Sequence, residues 1–136
     1  MNREKKFLLA AYKTSFLSKN KYPIGAVLVI GHRIISKGFN RVHKSHPKQP
    51  AFISYSGRTC IEPHAELDTL IRAPYEIIRG STIYLARRLC SGMLGLSRPC
   101  RRCSKLLEAY GVKNIVYTIG GDINNILFEK SRVTSL

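Results

Sequence analysis

TIYLARRLCSGMLGLSRPCRRCSKLLEAYGVKNIVYTI, residues 82–119, carries the pattern on which the fold turns. Residues 82–87 read as a strand, and 89–98, with glycines at 92 and 95, as a loop. Pro99 then opens a helix in which Cys103, Leu106, Leu107 and Tyr110 share a face, closed by Gly111. Residues 112–119 are apolar and β-branched enough to read as a second strand. A strand, helix, strand run this short closes as a right-handed crossover, so the two strands are predicted to be parallel neighbours in one sheet.

Upstream, residues 3–18 contain no Gly or Pro, and Phe7, Leu8, Ala11, Tyr12 and Leu17 recur on one side of a helix that Asn20 and Pro23 stop. IGAVLVI at 24–30 reads as a buried strand, residues 31–32 as a turn, and 34–39 as its antiparallel partner. Residues 41–60 show no period and hold prolines at 47 and 50, which predicts a long basic loop. Pro63 suits the first position of a helix with a buried stripe of Leu67, Leu70 and Ile71, ended by Pro74. The tail after Gly121 is ambiguous, and a strand there is left open. With 136 residues, 44% of them hydrophobic, the chain is expected to be a single α/β domain, 1–136, with a basic insertion at 41–60.

Charge speaks to partners. Lys and Arg number 23 against eight Asp and Glu, a formal +15. No acid lies between Glu4 and Glu62, and a second acid-free stretch covers 77–107. One reading is a surface for phosphates, on a nucleotide or a polynucleotide; the other is a solvated face of a generally basic protein. The apolar runs are too short for a secretory core or a membrane span. A cytoplasmic protein is expected, in the host cytoplasm if the chain is viral, with no membrane partner. In a reducing compartment its four cysteines read as thiols or metal ligands. Cys90 reads as a small buried hydrophobe.

Two short motifs supply the chemistry. In PCRRC, residues 99–103, Cys100 and Cys103 stand three apart in the first turn of a helix. They therefore present two sulfurs to one point, where the helix N-terminus favours thiolate. PHAEL, residues 63–67, puts His64 and Glu66 at the start of another helix. Two thiolates and one imidazole make a three-ligand zinc site with an open fourth position. Glu66, kept off the metal, can then carry protons. Residues two apart on an ideal helix point about 200° apart, so both reach one site only at the helix end. The alternative is a structural zinc completed by Cys60, Cys90, His43 or His46. A second zinc at His43, His46 and Cys60 is weighed against incidental side chains in a loop, because their spacing fits no compact ligand pattern.

His64-Ala65-Glu66 followed by Pro99-Cys100-Arg101-Arg102-Cys103, with PIGAVLV and Gly38-Phe39-Asn40 upstream, resembles the zinc-dependent cytidine and deoxycytidylate deaminase superfamily over roughly residues 5–120. The resemblance implies a three-layer α/β/α fold with a mixed sheet, its first hairpin antiparallel and its later strands parallel. It implies that His64, Cys100 and Cys103 hold Zn2+ and that Glu66 moves protons. The Ala65 N–H would contact the pyrimidine carbonyl oxygen, Asn40 the sugar or base, and the Arg98 carbonyl the exocyclic amine. Relatives of this kind are often homo-oligomers.

Three substrate readings stay open. The loops resemble those of small phage-encoded deoxycytidylate deaminases, which implies conversion of dCMP to dUMP, with Arg41, Lys44, Lys48 and Arg58 as candidates for the phosphate. The charge exceeds what one monophosphate needs, and Phe39, Phe52 and Tyr55 fall among basic residues, so cytosine in single-stranded DNA or RNA is the second reading. Adenine is disfavoured: the stretch resembling tRNA adenosine deaminases departs from them in its long loop and short C-terminus. A deaminase fold without chemistry, binding nucleic acid only, is the third.

Overall fold

The computed structural model describes residues 2–42, 52–53, 59–60 and 64–136, with backbone only at 52–53 and 59–60. Helix α1, Arg3–Ser15, is capped by Asn2, whose side chain accepts from the Lys5 N–H at 3.0 Å. It ends three residues earlier than its composition allows, so Leu17, read as part of its apolar face, is exposed beyond the helix. Strands β1, Ile24–Ile30, and β2, Arg33–Phe39, form the expected antiparallel hairpin. Within the stretch read as a loop, β3 (Phe52–Ile53) pairs antiparallel with β4 (Thr59–Cys60). Two residue pairs are too short a ladder to leave a period in the sequence.

Helix α2 runs Ala65–Ile71 with His64 as its N-cap, so its first position is Ala65 rather than Pro63, which lies outside the described residues. Ile71, placed on the buried stripe, is exposed in the last turn. Strand β5, Thr82–Arg88, is followed by the short β6, Leu94–Gly95, then helix α3, Arg101–Ala109, and strand β7, Asn114–Asp122. The open tail forms β8, Asn125–Arg132, antiparallel to β7. The main sheet has the order β2-β1-β5-β7-β8, with β6 on β5. As the crossover rule predicts, β5 and β7 are parallel. They are the only parallel pair among the described residues, which corrects the expectation that the later strands all run parallel.

Alternation explains the layers. On one face, Val27, Val29, Tyr84, Ala86 and Val116 meet Phe7, Leu8 and Ala11 of α1. On the other, Ala26, Leu28, Ile83, Leu85, Ile115 and Tyr117 meet Ala65 and Leu70 of α2 and Leu107 of α3. Central strands buried on both sides must read as continuous apolar runs, which is why IGAVLVI shows no polar residue. The result is an α/β/α sandwich around a mixed sheet, the architecture expected from sequence.

One glycine brings α2 close enough to matter for function. A Cβ on Gly38 would collide with Thr69 Oγ1, lie 2.5 Å from the Thr69 N and 2.9 Å from the Asp68 carbonyl carbon. Backbone cannot give way as a flexible side-chain tip can. We expect Gly38→Ala to push α2 off the sheet and cost about 1–3 kcal/mol, in the range of core overpacking, read as a lower urea midpoint. An unchanged midpoint would show that α2 can slide without loss.

Candidate active site

The ends of β2 and β5 lie together, because Gly25 pairs with Phe39 and Ile24 with Arg87. The chain leaving β2 leads to His64, and the chain leaving β5 leads to Cys100. Two polar anchors hold the incoming segments. Asp68 Oδ2 accepts from the Phe39 N–H at 3.0 Å, which ties the first turn of α2 to the end of β2. Ser97 Oγ donates to the Leu85 carbonyl at 2.9 Å and accepts from the Thr118 N–H at 2.9 Å, which fixes the residues entering α3.

Both motifs thus sit at helix N-termini. His64 is the N-cap of α2, but its side chain does not cap the helix. Its Nδ1 lies 3.2 Å from Cys103 Sγ and 3.9 Å from Cys100 Sγ. Cys100 is the N-cap of α3, and its Sγ accepts from the Cys103 N–H at 3.4 Å. The three ligand atoms lie within 4.8 Å of one another. Tetrahedral zinc with ordinary bond lengths puts sulfur and nitrogen about 3.6 Å apart, a value the two S···N separations bracket. The donor set is therefore shaped for this metal, and no other group of three or more such side chains occurs among the described residues. The Cys103 thiol, more than the His64 imidazole, holds Cys100 down to about 4 against its burial, so Cys100 stands as the thiolate that metal binding needs.

Glu66 is 4% exposed in the first turn of α2. Burial pushes its carboxyl above the usual carboxylate range. The charge of His64 and its own N–H pull it back, Cys100 pushes it up, and a Cys103 hydrogen bond lowers it. The apparent conflict of two helical residues pointing 200° apart disappears, because an N-cap residue has extended backbone and is not bound by helical periodicity.

The other sequence-nominated residues fare differently. Ala65 is buried at the first helical position, where its N–H has no acceptor within the helix. Asn40 is buried, and its amide joins the α1–β1 connection to the end of β2. Its Oδ1 accepts from the Ile24 N–H at 2.9 Å and lies 2.7 Å from Ser18 Oγ, while Nδ2 donates to the Tyr22 carbonyl at 2.7 Å. Arg41 donates from Nε to Asp68 Oδ1 at 2.7 Å and stacks over Phe39. Arg98 is exposed at the rim of a cavity of about 560 Å³ bounded by Arg101, Lys105 and Thr134. Lys44, Lys48, Arg58, His43, His46 and Tyr55 lie outside the described residues, as do the side chains of Phe52 and Cys60. Cys90 is exposed, not buried as its residue type suggests, because it falls in the turn after β5.

Sequence reasoning passed over Asp68, Ser97 and Thr118, all buried. Asp68 left one signal, its position four residues before Arg72, with which it pairs at 3.3 Å. Ser97 and Thr118 left none, since nothing local marks a hydroxyl whose partner is twenty-one residues away.

Comparison with known proteins agrees with this geometry. Residues 1–119 match the cytidine and deoxycytidylate deaminase zinc-binding region. A deoxycytidylate deaminase of Mycobacterium phage D29 is 30% identical, over 79% of this chain and 85% of that protein. Among solved structures, dCMP deaminase of the cyanophage S-TIM5 superposes with a TM-score of 0.60 at 23% identity, covering 85% of this chain and 82% of that one. Cytidine deaminase of Burkholderia pseudomallei superposes with a TM-score of 0.63 at 15% identity, covering 96% and 92%. Fold, metal-binding chemistry and sequence therefore lead to one assignment: the chain belongs to the cytidine and deoxycytidylate deaminases, hydrolytic enzymes whose cofactor is zinc.

Proposed function

We propose that this deaminase acts on a free deoxycytidine nucleotide, dCMP, releasing ammonia and dUMP, with His64, Cys100 and Cys103 as the zinc ligands and Glu66 as the proton carrier. The observation that carries the chemistry is a buried carboxylate held in contact with a histidine–dicysteine triad. The relatives support this substrate: the D29 protein is a deoxycytidylate deaminase, and the S-TIM5 enzyme was solved with dCMP and dUMP.

When bound, zinc supplies an acidified water at the fourth position of the site. Glu66 would take one proton from the attacking water and pass it to N3 of the pyrimidine as the water oxygen bonds to C4. It would then take the second proton from that oxygen and pass it to the amine as the C4–N bond breaks, so that ammonia leaves. The Ala65 N–H, with no helical acceptor, is set to receive the pyrimidine carbonyl. The Arg98 carbonyl, one residue before the buried Pro99, is the acceptor assigned to the exocyclic amine. Asn40 keeps one amide hydrogen beyond its described bonds for the sugar or base. Asp68 fixes the Arg41 Nε, and among the described residues no ion pair occupies the terminal nitrogens of Arg41, which we assign to the phosphate.

The test supplies equal cytosine concentrations as dCMP and as a single-stranded oligonucleotide, with uracil counted by mass spectrometry. Turnover of dCMP alone is expected. Turnover of the oligonucleotide alone would overturn the nucleotide assignment.

A further inference from the structure

Most of the positive charge is left unexplained by a substrate bearing one phosphate. We propose that the sheet end next to the zinc triad is also a binding surface for single-stranded polynucleotide, built on Phe16 and Tyr22 with Arg87 and Arg88. That the charge is unexplained rests on the dCMP reading, whereas the test concerns binding rather than turnover, so the failure of one is distinguishable from the failure of the other.

Two aromatic rings stand where a core protein would not leave them. Phe16, the C-cap of α1, is 58% exposed, and Tyr22, in the connection to β1, is 54% exposed. Each is braced by two neighbours. The Arg88 guanidinium lies 4.3 Å from the Phe16 centroid, and Tyr12 meets the same ring edge-on at 5.3 Å. The Arg87 guanidinium lies 5.2 Å from the Tyr22 centroid, with the Lys21 ammonium at 5.8 Å. A ring held against a cation and still more than half exposed is a ready platform for an unpaired base, and the cation serves the neighbouring phosphate.

The arginines carry the second observation. Their backbones are fixed, Arg88 N–H to the Pro23 carbonyl at 3.0 Å and Arg87 N–H to Thr118 Oγ1 at 3.3 Å. Their side chains have no acidic partner among the described residues, and the Nε of each is shielded from solvent without a hydrogen bond there. Both segments that build the surface come from the acid-free stretches of the sequence, so no carboxylate within either offsets them. A third pair, Arg41 over Phe39 at 4.4 Å, stands at the same sheet end, since Phe39 pairs with Gly25 and Arg87 with Ile24, and it shares a cavity of about 310 Å³ with Lys19. Three rings each paired with a cation, at the sheet end where the proposed catalytic residues lie, fit a flexible anionic chain with exposed bases better than a rigid duplex.

The experiment is fluorescence anisotropy with the zinc-loaded protein and a labelled oligothymidylate, which holds no cytosine and so reports nothing on deamination. Phe16→Ala and Tyr22→Ala are each expected to weaken binding roughly tenfold. Arg87→Gln with Arg88→Gln is expected to weaken it and to lower the slope of log K against log salt by about 1.4. Arg79→Gln with Lys113→Gln removes the same charge from the opposite end of the sheet and should leave binding within about twofold, the small change expected where no phosphate is contacted. Equal losses from both charge pairs, silent aromatic variants, or equal affinity for a duplex of the same length would each overturn the proposal. Variants are compared only at matched zinc content and thermal midpoint, and Arg88→Lys, which keeps the charge, should restore most of the salt slope.

Discussion

Glu66→Ala should lower dCMP turnover by roughly a hundred- to ten-thousand-fold, the range for loss of a positioned acid–base group, while zinc content and fold are kept. The reason lies in where the side chain sits. Glu66 is 4% exposed, and burial of a carboxylate costs folding free energy, so truncation removes a cost and should not unfold the chain. Its neighbours His64, Cys100 and Cys103 keep the three atoms proposed to hold the metal. What disappears is a group able to take a proton in one step and return it in the next. Glu66→Gln makes the distinction sharper, since it keeps the volume and hydrogen-bonding shape yet cannot carry the proton. Both variants should therefore bind zinc and fail in turnover, measured as metal per chain, circular dichroism and uracil released. Activity within tenfold of the parent in either variant would place the proton carrier elsewhere.

How much of this was legible in the sequence follows from how far each interaction reaches. The parallel pair β5 and β7 could be read because strand, helix and strand are consecutive and the crossover has one hand. The histidine–dicysteine cluster could be read because Cys100 and Cys103 are separated by one helical turn and His64 precedes Glu66 by two residues. Strand β8 could not: its exposed face alternates Asn125, Leu127, Glu129 and Ser131, too polar to mark a strand before its partner is known. Asn40 shows a subtler limit. The GFN stretch pointed to a substrate contact, yet Gly38 is required by the close approach of α2 and Asn40 by the α1–β1 connection. A short motif can be fixed by packing and by chemistry at once, and sequence spacing does not separate the two. Asp68, Ser97 and Thr118 escaped because their partners are remote in the chain, and only the folded sheet end brings them together.

His64→Ala should abolish turnover and also release the metal, which separates a ligand from a proton carrier. Only two sulfurs remain to hold zinc in that variant, and Cys103 loses the imidazole 3.2 Å away. Metal bound only to the folded state stabilises it by about 2.7 kcal/mol when free metal is a hundred times its dissociation constant. A strong chelator should therefore lower the melting temperature of the parent protein by several degrees. The same treatment should do nothing to His64→Ala, which has no bound zinc left to lose. Cys103→Ser should behave like His64→Ala, because a hydroxyl does not ionise to a soft donor near neutral pH. Cys90→Ser, at an exposed thiol away from the triad, should keep a full zinc complement and the parent's response to chelator. A chelator-sensitive melting temperature in His64→Ala, with one zinc per chain, would mean that the metal is held by other donors and that the histidine–dicysteine triad is not its site.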